Sequence, residues 1–133
     1  MKLWVTIAVT VLLGTAQGAQ AVNVGLIKID GAIGPATSSY ISRAIDLSGA
    51  RKDACLIIQL DTPGGMLVST KHIVQSLYDS TVPTVVYVAP APASATSAGA
   101  LITMAADVAA MAPHTRIGAA HPVSIGTSGE VEK

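Results

Sequence analysis

Ser97 stands in Ala95-Thr96-Ser97-Ala98-Gly99, a small-residue turn between a strand-like run and a helix-like run. A serine hydroxyl attacks a carbonyl only when it projects from the backbone without crowding, and alanine and glycine neighbours leave that room. Upstream, Asp61-Thr62-Pro63-Gly64-Gly65 makes a second turn, rich in glycine. Backbone N–H groups in such a turn suit the oxyanion that develops when a carbonyl is attacked. A helix starting at Ser97 adds free N–H groups and the positive end of its dipole. The Ala98 and Gly65 N–H groups are therefore the expected oxyanion pair, with Gly65 free of a side chain so that its backbone approaches a substrate closely. Serine is also a favoured helix N-cap, and the residues alone leave that reading open.

Other polar residues carry weaker claims. Asp61 is expected to cap its own turn through an Asx-type bond, and Asp30 before Gly31 reads as a turn residue. Of the three histidines, His114 reads as an exposed loop residue and His72 as surface. No two histidines have metal-ligand spacing, so no metal is expected. The Gly-Gly turn lacks the spaced second glycine and the Lys-Ser/Thr of a phosphate loop. Cys55, the single cysteine, lies in the apolar run Ala54 to Ile58 and reads as a buried small hydrophobe.

The elements that would position these residues follow an α/β pattern. Val22 to Ile29 reads as a first strand stopped by Asp30-Gly31. Pro35 opens a helix with Tyr40, Ile41, Ala44, Ile45 and Leu47 near its apolar stripe, and Gly49 suits its C-terminal cap. Leu56 to Leu60 is a nearly continuous apolar run, of the kind buried on both faces of a parallel sheet. A helix over Met66 to Tyr78 would turn Ile73, Val74 and Leu77 to the core. Thr84 to Val88 is a third strand, and Ala89 to Ala95 a connection. A helix after Ser97 would bury Ala98, Leu101, Ile102 and Ala105, and Val108 to Met111 is a further short strand. Strands alternating with crossover helices imply a mainly parallel sheet with right-handed connections. Sites in such sheets lie beyond the carboxyl ends of strands, which would bring Gly65 and Ser97 to one edge.

Half of the 133 residues are hydrophobic and 12% charged, with eight Lys and Arg against eight Asp and Glu. One globular domain is expected, and the absence of a basic cluster argues against nucleic acid. Residues 1–21 differ in kind: Lys2, the apolar run Leu3 to Leu13 and the small-x-small site Ala19-Gln20-Ala21 read as a secretory signal peptide. Domain 22–133 is then expected outside the cytoplasm.

Three runs together, Leu60 to Gly65, Ala93 to Gly99 and Ala112 to Pro122, resemble the N-terminal domain of NfeD proteins. These are membrane-associated serine proteases of the Clp protease, signal-peptide-peptidase and crotonase fold class. The resemblance implies an α/β fold of repeated β-α-β units with a mainly parallel sheet, whose C-terminal part is expected to be missing from this chain. It implies Ser97 as nucleophile, Gly65 and Ala98 as oxyanion donors, and Pro63 and Gly64 on the substrate-binding edge. It implies a lysine of lowered pKa as base, no cofactor, apolar peptide substrates such as segments of stomatin-like membrane proteins, and a homo-oligomer. The dyad lysine is expected beyond Lys133; Lys133 itself would be solvated, Lys28 lies on an early strand and Lys71 on a helix face that reads as solvated. Clp subunits use histidine, but Ala120 occupies that position here and His121 is offset by one residue, which turns it to the opposite face. Two other readings stand beside this one, a non-catalytic membrane scaffold and a crotonase-type acyl-CoA enzyme.

Overall fold

The computed structural model describes residues 22–120. The expected signal peptide, His121 and Lys133 lie outside the described residues. Strand β1 (Gly25–Asp30) leads into α1 (Pro35–Arg51), β2 (Leu56–Asp61), α2 (Leu67–Tyr78), β3 (Thr84–Val88), β4 (Ser94–Thr96), α3 (Ala98–Ala105), β5 (Val108–Met111) and β6 (Arg116–Gly118). Four strands form a wholly parallel sheet in the order β1-β2-β3-β5. Because successive right-handed crossovers step the same way across the sheet, the helices share one face, with α2 packed between α1 and α3.

The core lies between that face and the helices. Ile58, Leu60, Val86 and Val88 from the sheet meet Ile41, Ile73 and Ile102 from the helices, all fully buried. Each such side chain contributes about 1.5–3 kcal/mol on burial. The other face departs from expectation. Leu26, Ile57, Val85 and Val108 share a row across the strands, with Leu26 and Val108 exposed and Ile57 and Val85 half-buried. The sheet is thus buried on one face only among the described residues, since no crossover helix reaches the opposite side.

Two boundaries also shift. Helix α1 passes through Gly49 and ends at Lys52, which takes the left-handed conformation at φ 56°. Gly49 stays helical because a β-carbon there would lie 2.6 Å from Thr81 Oγ1; it allows a close approach and is not the cap. The connection after β3 contains β4, which pairs in parallel with β6 as a second small sheet. Single bridges, Ile33 to Gly65 and Thr62 to Ala95, extend that layer towards the chain leaving β1 and β2. Each main strand is thus followed by a short extended segment before the next helix or the end of the described chain.

Polar contacts fix the ends of this frame. The Asp107 carboxylate accepts hydrogen bonds from the backbone N–H and the hydroxyl of Thr84, both at 2.8 Å, and clamps the start of β5 to β3. The backbone N–H bond from Thr84 and then its hydroxyl bond hold the Asp107 carboxyl below its ordinary value. At the opposite end, α3 meets the chain beyond β2 through Gly99, where a β-carbon would lie 2.5 Å from Thr62 Cγ2.

A carboxyl whose folded-state pKa is lowered stabilises the fold above its ordinary value, and that contribution is lost as pH falls through the lowered value. Asp107→Ala is therefore expected to lower the melting temperature at pH 7, with the gap to the parent narrowing below about pH 4; a gap independent of pH would refute the clamp. Gly99→Ala is expected to destabilise by about 1–3 kcal/mol through overpacking. Adding Thr62→Ser, which removes the opposing methyl, should restore part of this loss in chemical denaturation, and strict additivity of the two changes would contradict the contact.

Candidate functional site

The site is assembled where the chain leaves β2. Thr62 is fully buried and its backbone continues the β2 direction into pairing with β4: its N–H donates to Ser94 O at 2.7 Å, and Thr96 N–H donates to Thr62 O at 3.0 Å. The Asp61 carboxylate accepts the Ser94 N–H at 2.9 Å. The expected local Asx cap is replaced by a bond that anchors β4, because the strand that carries Ser97 lies alongside. The turn is closed by Thr62 itself. Its Oγ1 accepts the Gly64 N–H at 3.1 Å and donates to Gly64 O at 3.3 Å.

Gly64 and Gly65 are glycines for different reasons. Gly64 has φ +111°, and a β-carbon on it would lie 2.9 Å from Ser97 Cβ and 3.1 Å from Thr96 O. The two turns read from the sequence are therefore in van der Waals contact. Gly64 is buried against Ser97, whereas Pro63 and Gly65 are exposed. At Gly65 a β-carbon would lie 2.0 Å from Ile33 O, so the close approach that demands glycine is to the Ile33 backbone. Ile33 N–H donates to Gly64 O and Met66 N–H to Ile33 O, both at 2.8 Å. This bridge leaves the Gly65 N–H directed away from Ile33, and among the described residues nothing takes it.

Ser97 has φ 53° and ψ −110° and makes no capping hydrogen bond. An N-capping serine takes extended backbone and accepts an N–H from the first turn; Ser97 does neither. A left-handed φ on a non-glycine residue costs on the order of 1–3 kcal/mol and persists only where the surroundings impose it. Here Ser97 N–H donates to Gly118 O at 2.9 Å, and Ser97 O accepts from Ala100 N–H at 3.0 Å. The half-buried side chain has no hydrogen-bond partner among the described residues. Ala98 opens α3, so its N–H has no partner within the helix.

The remaining candidates stand apart. Lys28, Lys71, His72 and His114 are exposed, and none hydrogen-bonds Ser97. Cys55 is a free, half-buried thiol preceding β2. Sequence reasoning missed the parts played by Thr62, Ile33 and Gly118. Thr62 lay inside a motif already singled out, whereas Ile33 and Gly118 act through backbone atoms that any residue possesses.

The family model described as NfeD1b, N-terminal domain, matches residues 23–132. The membrane-bound protease PH1510 of Pyrococcus horikoshii is 36% identical over 120 residues, 90% of this chain and 27% of that protein. Two structures of 1510-N, a membrane-bound stomatin-specific protease of the same organism, match at 37% and 38% identity with TM-scores of 0.77 and 0.78. One has a serine replaced by alanine; the other has a lysine replaced by alanine and holds a substrate peptide. They cover 84% and 82% of this chain, and 54% and 49% of theirs. ClpP1 of Listeria monocytogenes, 19% identical with a TM-score of 0.62 over 71% of this chain and 55% of its own, shares the fold. The chain spans about a quarter of the length of the curated relatives it matches and about half of the 1510-N chains. With the family model spanning all the described residues but the first, and relatives of the same fold, the chain belongs to the NfeD1b N-terminal domain family.

Proposed function

We propose that this chain is the nucleophile-bearing part of a serine endopeptidase that cleaves apolar segments of membrane-associated proteins. One observation carries the reading: Ser97 is held at a positive φ of 53°, its hydroxyl without a hydrogen-bond partner among the described residues, against the turn that presents the Gly65 N–H. In the reaction, Ser97 Oγ attacks the scissile carbonyl while a base takes its proton, and the carbonyl oxygen becomes an oxyanion. The Gly65 and Ala98 N–H groups receive that charge, which is where fixed dipoles contribute most. Collapse of the tetrahedral species breaks the C–N bond, and the base returns its proton to the leaving amine. Water then hydrolyses the acyl-enzyme by the same route.

The base in this reading is a lysine, as in a Ser-Lys dyad, and not one of Lys28, Lys71 or Lys133; the peptide-bound lysine variant of 1510-N supports that choice. The substrate passes over exposed Pro63 and Gly65, and the exposed apolar side chains of Met66, Leu67 and Val68 beside them favour an apolar peptide. A stomatin-like membrane protein is the proposed substrate because 1510-N is described as specific for one. Residues 1–21 as an export signal, 22–133 as one protease domain placed extracytoplasmically at the membrane, and assembly into a homo-oligomer complete the proposal. Among the described residues no helix is long and apolar enough to cross a membrane.

The test is labelling of the full-length protein with a fluorophosphonate, together with cleavage of an apolar peptide. Wild type should be labelled at Ser97, and Ser97→Ala should lose labelling and at least ~10³-fold of its turnover. Unchanged cleavage by Ser97→Ala would exclude Ser97 as nucleophile, and binding of a membrane partner that survives the substitution, with no cleavage by either form, would favour a scaffold.

A further inference from the structure

We infer that the Thr62 hydroxyl is a positioning device for catalysis: it locks the Gly64–Gly65 peptide in the orientation that presents the Gly65 N–H to the oxyanion. The inference rests on the reading of Ser97 as nucleophile and goes beyond it by naming what holds the oxyanion donor in place.

Peptide planarity couples the carbonyl to the donor. The Gly64 carbonyl and the Gly65 N–H belong to one planar trans unit, so they point in opposite directions and turn together. Whatever fixes the carbonyl fixes the donor. Gly64 O receives two hydrogen bonds, from Ile33 N–H at 2.8 Å and from Thr62 Oγ1 at 3.3 Å. The same hydroxyl accepts the N–H of the preceding peptide, that of Gly64, at 3.1 Å. A hydroxyl has one proton to donate and lone pairs to accept with, so both bonds form at once. Thr62 thereby grips the peptides on both sides of the Gly64 α-carbon.

That grip matters because of where it acts. Gly64 at φ +111° is a residue without a β-carbon, the type whose adjoining peptides rotate with least steric resistance. A rotated Gly64–Gly65 peptide would aim a carbonyl oxygen at the place where the oxyanion forms, replacing attraction by repulsion. Thr62 is itself immobilised. It is fully buried, its backbone is paired to Ser94 and Thr96, and its methyl packs against Gly99 at the start of the helix that bears Ala98. One residue is therefore tied to the Gly65 donor through its hydroxyl, to the Ser97 strand through its backbone and to the Ala98 helix through its methyl.

The substitutions Thr62→Val, Thr62→Ala and Thr62→Ser separate hydroxyl from packing. Valine keeps the shape and loses both hydrogen bonds, alanine loses methyl and hydroxyl, and serine keeps the hydroxyl. In the full-length protein with an apolar peptide substrate, kcat of Thr62→Val and of Thr62→Ala should fall by roughly 10²-fold, the scale of losing one oxyanion donor. KM should stay within about twofold of the parent, because the donor acts mainly on the transition state. Thr62→Ser should retain kcat within about threefold of the parent. The proposal is overturned if the variants without the hydroxyl keep kcat, if their loss appears in KM, or if Thr62→Ser falls as far as Thr62→Ala, which would signify packing alone. Ser97→Ala measured in parallel separates the two layers. Full activity there defeats the nucleophile assignment, whereas an inactive Ser97→Ala beside an active Thr62→Val defeats only the locking role.

Discussion

The serine turn depends on one backbone interaction, the pairing of Thr62 with Ser94 and Thr96 across the carboxyl ends of β2 and β4. That pairing sets the distance between the glycine turn after β2 and the serine turn after β4, which belong to different strand-helix units. With it in place, the Gly64 α-carbon lies directly against Ser97 Cβ. The Asp61 carboxylate on Ser94 N–H reinforces the same seam with a charge-assisted bond, stronger than a neutral one. Gly118 O on Ser97 N–H closes it from the other side. A left-handed serine is sustained because its neighbours on both flanks are fixed by strand pairing, so that relaxing its φ would require breaking bonds in β4 or β6.

The main frame was legible in the sequence for a simple reason: apolar strands such as Thr84 to Val88 and amphipathic helices such as Leu67 to Tyr78 announce themselves by composition and period. The convergence of Gly65 and Ser97 was legible too, because parallel crossovers place every strand end on one edge. The second layer was not. Strands of three residues, Ser94–Thr96 and Arg116–Gly118, are too short to show alternation, and single bridges at Ile33 and Gly65 leave no compositional trace. The sidedness of the sheet was hidden for another reason. The run Leu56 to Leu60 places Ile57 on the face opposite Leu56, Ile58 and Leu60, yet among the described residues only the face under the helices is fully buried, because burial is decided by the direction of the crossovers as well as by the strand's own residues.

At the site itself, the residue types were readable and their reasons were not. Glycine at 64, 65 and 99 looks alike in sequence, but the three positions answer to Ser97, to the Ile33 backbone and to the Thr62 methyl respectively. Gly65 is the instructive case. A side chain there would strike the Ile33 backbone, and the way the bridge to Ile33 is formed leaves its N–H without a partner among the described residues. Asp61 shows the same lesson with the opposite sign, since an acidic residue before a glycine turn suggests a local cap and instead reaches a strand distant in sequence.

In the proposed reaction, polarisation of the carbonyl rests on backbone groups, whereas activation of Ser97 rests on a side chain. Both proposed oxyanion donors are backbone groups, the Gly65 N–H oriented by the bridge to Ile33 and by the inferred grip of Thr62 on Gly64, and the Ala98 N–H by the start of α3. Proton abstraction from Ser97 needs a side chain with a suitable pKa within hydrogen-bond reach, and no described residue bonds that hydroxyl.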